Sequence, residues 1–61
     1  MGNVFAVEVF ESSWRTVAGG LTRDDAMAQA ESLAADGARV SVAEYTTDEG
    51  SSAVGREEVQ S

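Results

Sequence analysis

The stretch VFAVEVF at residues 4–10 decides the fold. It is dense in β-branched and aromatic residues, and its apolar residues fall on both alternating sets of positions. A strand that is apolar on both faces is typical of the middle of a sheet. We therefore predict that residues 4–10 form a central strand.

Two further strands are predicted around this one. Residues 11–13 form a polar break, and residues 14–18 return as the second strand of an antiparallel hairpin that Gly19-Gly20 ends. Residues 39–46 alternate well enough to form the third strand. A right-handed crossover would place this strand beside the first, in the order 2-1-3.

A helix is predicted between the second and third strands. Thr22 can cap its first amides, and Asp25 holds the reciprocal position of a capping box. Gly37 stands where a left-handed residue closes a helix. Over residues 23–36 the apolar positions form one stripe, made by Ala26, Met27, Ala30, Leu33 and Ala34. The mostly alanine stripe predicts that the helix lies close against the sheet.

These elements predict an α+β fold, in which a three-stranded antiparallel sheet (ββαβ, order 2-1-3) is covered on one face by a single helix. With 61 residues there is room for one domain, which we place at residues 1–46. Residues 47–61 are predicted to be an acidic, flexible tail because large apolar groups are few there. A short extra strand around residues 52–54, or a helical turn through Glu57 and Glu58, is the alternative.

The charge of the chain is strongly acidic. Eleven acidic side chains stand against four arginines and no lysine, which gives a formal net charge of −7. Nucleic-acid backbones and anionic membranes would repel such a chain, whereas a basic protein surface would attract it. The alternative is that the acidity only keeps a small protein soluble.

The residue inventory excludes most catalytic chemistry. There is no cysteine and no histidine, so a disulfide framework, a Cys/His zinc site and histidine acid-base catalysis are ruled out. The pairs Asp24-Asp25 and Glu57-Glu58 do not converge on one atom, because adjacent helix residues point to different sides. The loop residues 48–52 lack the spacing of a calcium loop. We therefore predict no enzymatic activity, no cofactor and no metal.

The expected location is the cytoplasm. The first ten residues carry no basic start and no apolar run of signal length, and no stretch approaches the roughly 20 apolar residues of a membrane span.

Two candidate surfaces for a protein partner remain. The first is acidic, on the flanks of the helix and on the strands, and comprises Glu8, Glu11, Asp24, Asp25, Glu31, Asp36 and Glu44. The second is the sheet face away from the helix, where alternation places Phe10, Trp14 and Tyr45 beside Val4 and Ala6, if Phe5, Val7, Val9, Val40 and Val42 face the helix. Exposed aromatic groups there would mark a homodimer or partner interface. Alternatively, Phe10 or Trp14 wraps round the edge of the sheet, or Ala53, Val54 and Val59 cover the face.

Very small size, strong acidity, a ββαβ core and the lack of catalytic side chains resemble the small phage-encoded inhibitors of bacterial defence, of which the anti-CRISPR proteins are the best-known group. The resemblance is one of general character and brings no residue-by-residue correspondence. It implies stoichiometric binding to a basic, nucleic-acid-handling surface of an effector in the bacterial host, as a DNA mimic. The alternatives are a virion or scaffold component that oligomerises through its open sheet face, and an adaptor or antitoxin-like module.

Overall fold

A computed structural model describes residues 3–46 and 53–59 of the chain. Its elements follow the order β1 (Asn3–Phe10), β2 (Trp14–Leu21), α1 (Arg23–Ala35), β3 (Val40–Thr46) and β4 (Ala53–Val59). The four strands form one antiparallel sheet in the order β2-β1-β3-β4. The α+β class is confirmed.

The number of strands differs from the sequence prediction. We expected three strands and a tail over residues 47–61, but Ala53–Val59 pairs with β3 as a fourth strand. The alternative of a short extra strand around residues 52–54 comes nearer, but β4 runs on to Val59. Its extent could not be predicted because six of its seven positions are exposed and only Val59 is buried, so the segment has no apolar pattern. Residues 47–52, 60 and 61 of the expected tail lie outside the described residues.

Strand β1 lies in the interior of the sheet, as its apolar character predicted. It pairs with β3 without interruption from Asn3 opposite Thr46 to Val9 opposite Val40. The residues expected to face the helix do so, because they form or contact its core cluster: Phe5, Val7, Val9, Val40 and Val42.

The ends of α1 follow the capping signals in the sequence. Thr22 Oγ1 accepts a hydrogen bond from the Asp25 N–H at 3.2 Å. At the other end Gly37 has φ +96°, and the Gly37 and Ala38 amides donate to the carbonyls of Ala34 and Leu33. This is the paired bonding of a Schellman motif, which stops the helix two residues before the glycine.

The core between the helix and the sheet is built from small side chains. Ala26, Ala30 and Ala34 of α1 are buried against valines of the sheet. Met27 and Leu33 pack at the margin of this cluster. Because alanine has no side chain beyond Cβ, the helix backbone can lie close to the sheet, and a larger residue would force the two layers apart.

Both edge strands contain β-bulges. In β2, Val17 is the unmatched residue between the pairs Val7–Ala18 and Glu8–Thr16, and a second irregularity follows near Gly20, whose φ is +66°. Strand β2 therefore continues through the two glycines expected to end it. In β4, Val54 is unmatched between Gly55 and Ala53. Bulges of this kind interrupt the regular row of backbone groups that another strand would need in order to add to the sheet.

Candidate functional site

The sheet face away from the helix is organised around Glu8. This carboxylate lies in a central strand and is only 3% exposed, although no helix covers it. Its Oε2 accepts hydrogen bonds from the Tyr45 hydroxyl at 2.5 Å and from Thr16 Oγ1 at 2.9 Å. Its Oε1 accepts one from Arg56, which forms an ion pair with it. A buried carboxylate is tolerated when its lone pairs are satisfied in this way.

The partners of Glu8 keep it ionised. Burial by itself would raise the pKa of Glu8, but the hydrogen bonds from Tyr45, Thr16 and Arg56 and the charge of Arg56 outweigh burial. The pKa of Glu8 therefore lies below its ordinary value of 4.5. The hydrogen bond to Glu8, burial and the negative charge of Glu8 raise the pKa of Tyr45 above 10.0.

Two guanidinium groups lie over the aromatic residues of this face. Phe10 and Trp14 contact each other edge to face, with ring centroids 5.3 Å apart. The Arg39 guanidinium carbon lies 4.8 Å from the Phe10 centroid, and that of Arg56 lies 4.9 Å from the Trp14 centroid. These are distances at which cation–π attraction operates. Arg39 is also paired with Glu58 at 2.5 Å.

The expected open aromatic patch is therefore a mixed surface. Phe10, Trp14 and Tyr45 lie on one face as predicted, but all three are half-buried, and side chains of β4 and of the approach to β3 lie beside them. Within the described residues, the large hydrophobic side chains that are exposed are Val17 and Val54. Strand β4 extends the sheet and does not fold over the face, and Val59 belongs to the core on the helix side.

The acidic candidates divide into two groups. Glu8 is buried and paired, so it does not present a free charge as the sequence suggested. Glu11 is exposed and forms an ion pair with Arg15 at 3.0 Å. Glu44 is half-buried and accepts a hydrogen bond from Asn3. The remaining four are exposed on α1 and at its C-cap; we call them the acidic helix face: Asp24, Asp25, Glu31 and Asp36.

Among the described residues, five carboxylates are not paired with an arginine: Glu44 and the four of the acidic helix face. Every arginine of the chain pairs with a carboxylate elsewhere: Arg15 with Glu11, Arg23 with Glu57, Arg39 with Glu58, and Arg56 with Glu8. Within the part of the chain that the structure describes, none of these pairs includes a carboxylate of the acidic helix face. Asp24 and Glu31 lie seven positions apart on one flank of the helix, about two helical turns or 10 Å along the axis, and Asp25 and Asp36 lie on the other flank.

Sequence reasoning missed the arginines. Arg56 was assigned to a tail and Arg39 to the start of a strand, yet both contact the aromatic face. The signal that could have found Arg56 is Glu8, whereas Arg39 pairs with Glu58 and not with Glu8. A carboxylate in the middle of a strand that is otherwise apolar requires a partner, and arginine is the only basic residue in this chain.

Among residues 3–46 and 53–59, no group of three or more metal-ligating side chains is present, and α1 is too short and too polar to cross a membrane. Comparisons with protein-family models, with curated proteins and with solved structures found no match.

Proposed function

We propose that this chain is a small protein-binding protein that presents the acidic helix face to a basic surface of a nucleic-acid-handling protein. The observation that carries the proposal is the partition of charge. Each of the four arginines lies within ion-pair distance of a carboxylate outside this face, Arg23 only at 3.7 Å from Glu57, so none of the four carboxylates of the acidic helix face is paired with an arginine. A field of one sign speeds association with a surface of the opposite sign.

The shape of the acidic helix face supports inhibition by occupancy. The carboxylates follow a rigid helix that is capped at both ends, so their spacing does not depend on a flexible segment. A groove that binds a phosphate backbone offers rows of basic side chains, and the carboxylates on the two flanks of the helix can occupy them in place of nucleic acid. This is the mode of action that the resemblance to small phage-encoded inhibitors of the anti-CRISPR kind implies, with one copy blocking one effector.

An assembly protein that oligomerises through the sheet face is less well supported. Arg39 and Arg56 lie over the aromatic rings, so the face is not the continuous apolar patch that this function would use. The bulges at Val17 and Val54 also oppose growth of the sheet from either edge.

The test compares two variants of equal net charge. The first carries Asp24→Asn, Glu31→Gln and Asp36→Asn, and the second carries Glu11→Gln, Ser12→Lys and Ser13→Lys on the exposed β1–β2 turn. Each set of three changes adds three units to the formal charge of −7 and brings it to −4. The native chain and each variant are immobilised separately and incubated with an extract of the cells in which the protein acts. Each incubation is done with and without duplex DNA as competitor.

We expect the native chain and the turn variant to retain a basic protein that duplex DNA displaces. The helix variant should lose about ten-fold or more in affinity. Neutralising several carboxylates that contact basic groups of the partner removes at least about 1.4 kcal/mol of binding free energy. Equal retention by the two variants, or retention that duplex DNA does not affect, would contradict the proposal. Circular dichroism of both variants checks that the fold is kept.

A further inference from the structure

A groove of about 360 Å³ lies on the helix side of the sheet, near the start of α1. Phe5 and Val42 contribute its apolar lining, and Arg23, Glu44 and Glu57 contribute its polar lining. Its volume is at the lower end of the range of ligand pockets, so it suits a single side chain or a small molecule.

The charge of the groove favours a cation. Glu44 and Glu57 contribute two negative charges and Arg23 one positive charge. Arg56 also borders the groove, but its guanidinium is engaged on the other face of the sheet by Glu8. Arg23 reaches Glu57 at only 3.7 Å, and both side chains are about two-thirds exposed, so this pair is weak and screened by solvent.

Gly55 provides an independent indication that the groove is kept open. It lies in an edge strand opposite Glu44, and directly opposed residues project to the same face of a sheet. A Cβ added at Gly55 would meet no atom within 4 Å, and the backbone there does not have the positive φ found at Gly20 and Gly37. Among the described residues, neither a neighbouring atom nor a positive φ requires glycine here. Glycine inside a strand marks a β-bulge, such as the one at the adjacent Val54, or the close approach of a ligand, and in both cases the missing side chain leaves the groove open.

We propose that this groove receives an arginine side chain of the basic partner. The aliphatic stem and guanidinium plane lie along Phe5 and Val42, and the guanidinium donates to the carboxylates of Glu44 and Glu57. Arginine fits better than lysine because its planar fork can bond two acceptors and stack on an aromatic ring. The inference rests on the proposed function, since it supplies an anchor for the partner that the acidic helix face attracts.

The experiment titrates the full chain with the peptide acetyl-Gly-Arg-Gly-amide and follows backbone and aromatic NMR signals. We expect saturable shifts centred on Phe5, Val42 and Gly55, with a dissociation constant on the order of 1 to 10 mM for one exposed anchor. The same peptide with neutral citrulline in place of arginine should give no saturable shift.

Two glycine variants form a matched pair. Gly55→Val fills the groove, whereas Gly19→Val makes the same change in the opposite edge strand, where an added Cβ also meets nothing within 4 Å. Gly55→Val should weaken peptide binding about five-fold or more and Gly19→Val less than about two-fold, since only the first blocks the cation. Glu44→Gln, which leaves the groove open, should also weaken binding and serves if Gly55→Val does not fold.

Shifts centred on the acidic helix face, with Gly55→Val and Glu44→Gln binding as the native chain does, would overturn the groove assignment. The absence of saturable binding would overturn it too. Neither result touches the partner test with the neutralised helix variant, so the groove and the proposed function can fail separately. If Gly55→Val also weakens capture of the basic protein from extract and Gly19→Val does not, the groove is the anchor.

Discussion

Val7 and Glu8 are neighbours in β1, both almost completely buried, at 0% and 3% exposure, yet they are buried in different ways. Val7 faces the helix and packs against alanines and valines. Glu8 faces the other side and is enclosed by Tyr45, Thr16 and Arg56. One face of the sheet is thus covered by the helix. The other face is covered by polar side chains of the sheet's own strands.

Because the two faces are buried in different ways, we expect different perturbations to change the stability of each. Close packing of small apolar groups is sensitive to side-chain volume and insensitive to pH and salt. A cluster held by a carboxylate, a guanidinium and hydroxyl donors is sensitive to protonation and to loss of a partner.

The largest effect should follow from adding volume on the helix side. Ala30 is completely buried, so Ala30→Leu inserts three carbon atoms between the helix and the sheet and should lower the free energy of unfolding by about 3 kcal/mol. Urea unfolding followed by circular dichroism measures the loss. Ala28→Leu makes the same change on the exposed side of α1 and should stay within about 0.5 kcal/mol of the native chain. A tolerated Ala30→Leu would show that the layers are not closely packed.

The next effect should come from the polar face. Glu8→Gln leaves Arg56 without its buried counter-charge and places an amide group among donors, which should destabilise the fold by about 2 kcal/mol at pH 7. Urea unfolding again gives the free energy. Glu11→Gln removes the same charge from an exposed pair and should change stability by less than about 0.5 kcal/mol. If the two variants lose the same free energy of unfolding, burial of Glu8 does not make its interactions stronger than those of an exposed pair.

The pH dependence of the same variant sharpens the contrast. Because the pKa of Glu8 in the fold lies below 4.5, its contribution to stability is complete well above that pH and is lost as pH falls through the folded-state pKa. The stability gap between native chain and Glu8→Gln should therefore shrink on acidification. The pKa of Tyr45, the only tyrosine, should fall back toward 10.0 in Glu8→Gln and stay raised in Glu11→Gln, which ultraviolet absorbance measures. A gap independent of pH would contradict this account.

The smallest effect should follow from loosening the aromatic part of the polar face. Arg39 pairs with Glu58, but its side chain is 59% exposed, so Arg39→Gln should cost only about 0.5 kcal/mol. The emission of Trp14, the only tryptophan, should shift, since Arg39 lies 5.6 Å from its ring centroid. Arg15→Gln, in another exposed pair, should leave the emission unchanged. A loss above about 2 kcal/mol would place Arg39 among the residues that hold the sheet together.

The helix side could be predicted from the sequence because local rules determine it. Alternation in residues 4–10 and in β3 identified which valines face the helix, and Thr22 and Gly37 marked the helix ends. These signals depend on residues close together in the chain. The expected order 2-1-3 also holds for the first three strands.

The polar face could not be predicted in the same way. Strand β4 has exposed side chains at six of seven positions and is paired through its backbone with β3, and backbone pairing leaves no pattern in side-chain hydrophobicity. Once β4 was missed, Arg56 had no predicted position near Glu8. The four carboxylates of the acidic helix face are exposed on α1 and at its C-cap, as the helical pattern predicts, whereas Glu8 required a partner 48 positions away in the chain.

That separation has a consequence for the order of folding. The β1–β2 hairpin and α1 form contacts between residues that are near in sequence, whereas the Glu8–Arg56 pair joins residues 48 positions apart and requires β3 and β4 to be in place beside β1. We expect the pair to form after the transition state for folding. The strength of the Glu8–Arg56 pair then determines the rate of unfolding. The rate of folding is determined by the helix and the hairpin.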